Sequence, residues 1–325
     1  MKKIFATILF LFAFIVSVFA EKVYKIAYIG DSTSASANAA IYNGARDALN
    51  ELQSRYGKKI ELEFISQSSA EAQIKKIGGV YIGGYSGAIV FPISDDNKFA
   101  SAILSLSEKS FPVALVGKDL KDSKRLCYVG GDEKKFYEML SEELKNQTDK
   151  ESLHLYIYGK PDSDIADSNV RANTKEKLLN ASKVNLNETI LNTISKGQIS
   201  VELIHLYSLY SATNKIAIMR RDNYGEIFMS PELLADMTPI ERDTDRRFAV
   251  CVGAAPYLTE YLQSGQLTAC VYHDFYGWGY FSARSIAEKI FDSITPTTDV
   301  RLISPLLATP QNINSFKSDW KKWSR

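Results

Sequence analysis

Short apolar segments that end in polar residues, each followed by a stretch with helical spacing, recur along most of this chain. Val23–Gly30 is apolar enough to be a strand buried on both faces, and Lys59–Ile65, Gly87–Phe91, Phe111–Val116 and Leu126–Val129 read as further strands. Between them, apolar residues stand three and four apart, as in Ile41, Ala45, Ala48 and Leu52, the spacing of one helix face. The second half repeats the rhythm with strands expected at Leu153–Tyr158, Val184–Leu191, Lys215–Met219 and Phe248–Val252. Alternation of this kind requires parallel strands joined by helical crossovers. The expected fold class is therefore α/β, with doubly wound parallel sheets. Residues Ile227–Arg247 break the pattern: Pro231, Pro239 and the charge run Glu241–Arg247 read as a solvated loop.

The first twenty residues read as a segment that is removed. Lys2 and Lys3 precede a nearly unbroken apolar run from Ile4 to Phe19, and Val18 and Ala20 are small residues of the kind a signal peptidase reads. Cleavage near Ala20 leaves about 305 of the 325 residues, enough to divide into two lobes. Loss of the two lysines takes the formal net charge from +1 to −1. A nearly neutral chain offers no electrostatic reason for a nucleic-acid partner. Three cysteines, Cys127, Cys251 and Cys270, sit inside apolar runs. They are too few for a disulfide scaffold, and a Cys251–Cys270 pair is left open. A monomer is expected.

Polar residues follow the strands, where ligands of α/β sheets collect. Asp31 and Ser32 follow the first strand, Ser68 the second, and Ser94 and Asp95 the third. The densest such region is Leu267–Phe281, in which an apolar run gives way to Tyr272, His273, Asp274, Tyr276, Trp278 and Tyr280. Ala283, Ile286, Ala287, Ile290 and Phe291 then resume helical spacing, so the aromatic cluster reads as a loop between strand and helix. His154 falls within a strand and His205 on a helix, structural positions for both. Enzyme motifs are weak. Gly84-Tyr85-Ser86-Gly87-Ala88 departs from G-x-S-x-G at its last position and precedes a strand instead of following one. No glycine fingerprint opens the first helix, so no dinucleotide is expected. With no metal-ligand spacing and no catalytic constellation, neither a cofactor nor an enzymatic activity is expected.

The order of elements resembles the type I periplasmic binding proteins of the ribose/galactose-binding class, over essentially the whole chain after residue 20. Ile26–Leu49, with Gly44-Ala45, is similar to that family's opening strand, loop and helix. Phe91-Pro92-Ile93-Ser94-Asp95 resembles its Asn-Pro-x-Asp turn, Phe111-Pro112-Val113 its Ile-Pro-Val strand, and Gly130-Gly131-Asp132 its first crossing between lobes. Asp167–Arg171 resembles the segment carrying a ligand-binding arginine, and Gly265–Ala269 with His273-Asp274 and Gly279-Tyr280 is the nearest match.

The resemblance implies two lobes joined by a three-crossing hinge that closes on a ligand. By analogy residues 22–127 with 274–304 form the N-terminal lobe and 128–273 with 305–325 the C-terminal lobe. It implies a secreted, periplasmic protein that captures a small polar ligand, sugar-like or anionic, and delivers it to an ABC transporter permease. The alternative is a sensing module that reports to a membrane kinase or chemoreceptor. The implied ligand set is Asp31, Ser32, Asn38, Ser68, Ser94, Asp95, Arg171, Arg221, Asp222, Tyr272 and His273. Several positions depart from the sugar binders. Ala37 and Asn38 stand where stacking aromatics are usual, Gly253 stands at or beside the second-lobe aspartate, and His273 replaces the hinge glutamine. Tyr272, Tyr276 and Trp278 are then candidates for the missing rings, and the arginine pair admits an anionic ligand.

Overall fold

The structure is a computed structural model that describes residues 22–32, 34–146, 153–159, 184–190, 223–228, 247–253 and 255–324. The segment before residue 22, with its expected cleavage site, lies outside the described residues, as do Arg171, His205, Arg221, Asp222 and the expected strand Lys215–Met219. No helix among the described residues is long and apolar enough to cross a membrane.

The chain divides into two units, Met1–Gly130 with Phe275–Arg301 and Gly131–Asp274 with Leu302–Arg325. It therefore passes from one to the other three times, at 130/131, 274/275 and 301/302.

In the first unit the chain runs β1 (Val23–Asp31), α1 (Ala35–Tyr56), β2 (Lys59–Gln67), α2 (Ala70–Gly79), β3 (Gly87–Val90), α3 (Asn97–Ser107), β4 (Val113–Val116) and β5 (Cys127–Gly131). The strands from β1 to β5 pair in parallel. With β11 (Val300–Ile303) they form a sheet of order β11-β5-β4-β3-β1-β2. Ile26–Ile29, Ala88–Val90 and Val113–Val116 are fully buried, as strands covered on both faces must be. One cluster, including Ile77, Phe99, Ile103 and Leu106, packs α2 and α3 against them. The helix α6 (Phe275–Asp292) belongs to this unit and lies along α1.

The second unit contains α4 (Glu133–Asn146), β6 (Leu153–Gly159), β7 (Val184–Ile190), β8 (Asn223–Phe228), β9 (Arg247–Val252), α5 (Leu258–Gln263), β10 (Ala269–Tyr272), β12 (Leu306–Ala308) and α7 (Ile313–Trp323). Its sheet has the order β12-β10-β9-β8-β6-β7. β7, β6, β8, β9 and β10 pair in parallel, and β10 and β12 are antiparallel.

Two segments differ from expectation. The aromatic stretch after β10 is not a loop: α6 begins at Phe275, so Tyr276, Trp278 and Tyr280 occupy its first turns. Glycines and aromatic rings are poor helix formers in isolation, but here Gly44 and Gly279 let the two helix backbones touch. Tertiary packing outweighs local preference. Asn223–Phe228 forms β8, so Asn223 opens a strand instead of belonging to the polar group expected after one. Gly225 and Glu226 lower its apparent strand character, whereas Lys215–Met219 is the more apolar run. The short strands β11 and β12 and the helices α5 and α7 carry little periodic signal and were not expected.

Cys127, Cys251 and Cys270 are buried free thiols. Cys251 and Cys270 stand opposite each other on β9 and β10, and burial pushes the Cys127 thiol up to about 11 and the Cys270 thiol higher still.

Candidate functional site

In the first unit β1 is followed by β2 on one side, and β3 returns to lie on its other side. The chain thus reverses its winding direction between β1 and β3. A crevice forms outside the carboxyl ends of strands at such a switch point. Asp31 and Ser32 end β1 there, and Phe91–Asp95 follow β3. Ser32 donates its N–H to the Gln67 carbonyl at 2.8 Å. Ser68 follows β2 at the same edge and is exposed, one strand further from the reversal.

The loop after β3 is held from beneath. Gln73, on α2 and fully buried, donates to the Phe91 carbonyl at 2.8 Å and accepts the Ile93 N–H at 3.0 Å. Lys118, just past β4, donates from Nζ to the Ile93 carbonyl at 2.8 Å. Asp96 caps α3, accepting from Lys98 N–H at 2.9 Å and Phe99 N–H at 3.1 Å. Chiefly the Phe99 N–H holds its carboxyl below the usual range. Ser94 donates to Asp96 Oδ2 at 3.1 Å. Asp95 is exposed at the loop surface. The arrangement offers a carboxylate and hydroxyls suited to hydrogen bonding ligand hydroxyls.

Asn38 is placed differently from the expectation. It is 3 % exposed, accepts a hydrogen bond from the Tyr28 hydroxyl at 2.6 Å and donates to the Asp31 carbonyl. It ties α1 to β1, and the Tyr28 ring stacks on Phe64. The amide's bonding is directed into the fold.

In the second unit His273 follows β10. Its ring lies 4.8 Å from that of Phe136 on α4, and Nε2 stands 3.5 Å from Glu133 Oε1. Gly131 packs against it closely enough that a Cβ there would meet the imidazole. Burial lowers the imidazole's pKa to about 4, so it is neutral near pH 7. Asp132 N–H donates to the Ile303 carbonyl at 2.9 Å. Within this unit, residues beside all three passes of the chain are therefore joined: Gly131 to His273, and Asp132 to Ile303.

The rings proposed as stacking platforms are used for packing. Tyr272 is 3 % exposed and meets Phe316 and Trp323 edge-on at 5.6 and 5.7 Å. Tyr276 donates from its hydroxyl to Asp47 at 2.9 Å, and Trp278 is buried against Phe275. Burial raises the Tyr272 and Tyr276 hydroxyls above their ordinary value, with Asp47 adding to the effect at Tyr276. Gln73 and Lys118 escaped sequence reading. The signal for Lys118 was its place directly after Gly117 at the end of a buried strand. For Gln73 no local signal existed. Among the described residues no group of His, Cys, Asp and Glu side chains could hold a metal ion.

No family model matches this sequence, and no curated protein matches it. Solved structures do match. A sugar-binding protein of a sugar ABC transporter from Bacillus halodurans superposes with a TM-score of 0.74 at 12% identity, covering 90% of this chain and 99% of its own. A periplasmic ribose ABC transporter protein from Conexibacter woesei gives 0.69 at 12% identity, with 93% and 98% covered. A XylFII–LytSN complex mutant gives 0.60 at 18% identity, with 90% and 100% covered. The chain has the type I periplasmic binding protein fold, in agreement with the resemblance seen in the sequence.

Proposed function

We propose that this chain is a secreted solute-binding protein that takes a small polar ligand between its two units, closes on it and delivers it to an ABC transporter permease. The observation that carries this reading is the first unit's switch point, where Asp31, Ser32, Ser94 and Asp95 share the carboxyl edge of a parallel sheet. The linkage of all three chain passes around Gly131, His273 and Ile303 supports a hinge whose state ligand contacts can bias. In this reading His273 contacts the ligand as a neutral imidazole, and Arg171, Arg221 and Asp222 supply the second unit's polar groups. The basic and apolar N-terminal segment, together with neighbours named as periplasmic or ABC transporter proteins, supports export. Binding without turnover accords with the same neighbours.

A second reading is a sensing module in which the closed form engages a membrane receptor. The XylFII–LytSN complex favours it, as an example of this fold paired with another protein.

Thermal unfolding of residues 21–325 against sugars, polyols, nucleosides and small organic acids tests the proposal. A ligand at about one hundred times its dissociation constant should add roughly 2.7 kcal/mol of stability. A panel that moves the midpoint nowhere contradicts the reading.

A further inference from the structure

Lys118 is a half-buried cation at the carboxyl edge of the first unit's sheet. Gly117 makes its placement possible. At φ +74° it turns the chain sharply after β4, with Phe91 and Trp278 packed where a Cβ would go. Its N–H donates to the Val129 carbonyl and the Lys118 N–H to the Val116 carbonyl. The Lys118 ammonium has three protons, and the Ile93 carbonyl takes one of them at 2.8 Å. Among the described residues it forms no ion pair. A neutral donor would hold that carbonyl equally well, without the cost of partly desolvating a charge. The loop it grips is already fixed by Gln73 through Phe91 and Ile93. Next to Ile93 stand Ser94 and the exposed Asp95, with Asp31 across the switch point.

One edge therefore combines a cation that meets no anion among the described residues with carboxylates and a hydroxyl suited to ligand hydroxyls. We propose that Lys118 binds the anionic group of a hydroxylated acid, a sugar acid or sugar phosphate, whose hydroxyls face Asp31, Ser94 and Asp95. This rests on the solute-binding reading and narrows its ligand class.

The test is calorimetric titration of residues 21–325 with D-galacturonate, D-gluconate and D-glucose 6-phosphate, each beside D-galactose or D-glucose as neutral reference. The carboxylates and the phosphate form separate arms that identify which anion is held. At least one acid should bind about tenfold or more tightly than its neutral reference, as loss of a charge-assisted contact implies. Lys118→Met should abolish that preference and Lys118→Arg retain it. Lys118→Gln, which keeps a donor for the Ile93 carbonyl, should behave like Lys118→Met and separates lost charge from lost folding. Neutral sugars binding as tightly as the acids would overturn the inference and leave the solute-binding reading intact. So would an undiminished preference in Lys118→Gln. Failure of every acid and every neutral sugar to bind the folded protein overturns both.

Discussion

Gly44 and Gly279 bring the backbones of α1 and α6 into direct contact. A Cβ on Gly44 would overlap the Tyr276 carbonyl, and one on Gly279 would overlap the carbonyl of Ile41. Flanking the contact, Tyr276 donates to Asp47 at 2.9 Å and Tyr280 to Glu51 at 2.5 Å. The helix that follows β10 is thereby locked to the helix that follows β1. Gly44→Ala and Gly279→Ala should each destabilise the fold by about 1–3 kcal/mol, because overpacking exceeds the gain of about 1 kcal/mol in helix propensity. Gly78, on α2, has nothing within 4 Å of an added Cβ. Gly78→Ala should therefore stabilise by about 0.4–1 kcal/mol. Urea unfolding of the three variants checks the opposite signs.

Asn38→Ala should act on stability before it acts on binding. The buried Tyr28 hydroxyl would lose its acceptor, at a cost of about 1–3 kcal/mol. A variant that melts with the native protein yet binds ligand weakly would restore Asn38 to the ligand set.

Arg125 pairs through Nε and Nη2 with Asp119 at 2.6 and 2.9 Å and through Nη1 with Asp299 at 2.9 Å. Its side chain is 4% exposed. Arg125→Met leaves Asp119 largely buried without its cation and should cost about 3–5 kcal/mol. Denaturant unfolding reads the loss, and a cost below about 1 kcal/mol would show that the pair is dispensable.

His273 makes stability depend on pH. Its folded pKa of about 4 lies below the ordinary 6.5, so the unfolded chain binds more protons in between. Stability should be complete above about pH 6.5 and fall as pH drops toward 4, by at most roughly 1.4 kcal/mol per pH unit. His273→Gln should flatten that part of the profile. An unchanged slope in the variant would assign the pH dependence to other groups.

The parallel architecture was legible because strands such as β1 and β4 are buried on both faces and must be apolar throughout. The place of Asp31, Ser94 and Asp95 at the sheet's carboxyl edge was legible because they follow such strands. What sequence hides is whatever depends on a partner distant in the chain. Gly279 looks like a loop residue until α1 is packed beside it. Asn38 looks available until Tyr28 is seen to donate to it. Gln73 has no visible role until the loop at Phe91–Ile93 lies over it. The strand β8 was missed for a related reason: the neighbours β6 and β9 stabilise a segment whose own composition is ambiguous.

The central claim is that one ligand is held by residues of both units. Its most direct test is calorimetric titration of Asp95→Ala, from the first unit, and His273→Ala, from the second, with the tightest ligand of the thermal screen. The account predicts that each variant, folded at neutral pH, binds at least about tenfold more weakly than the native chain. Native affinity in both would contradict it.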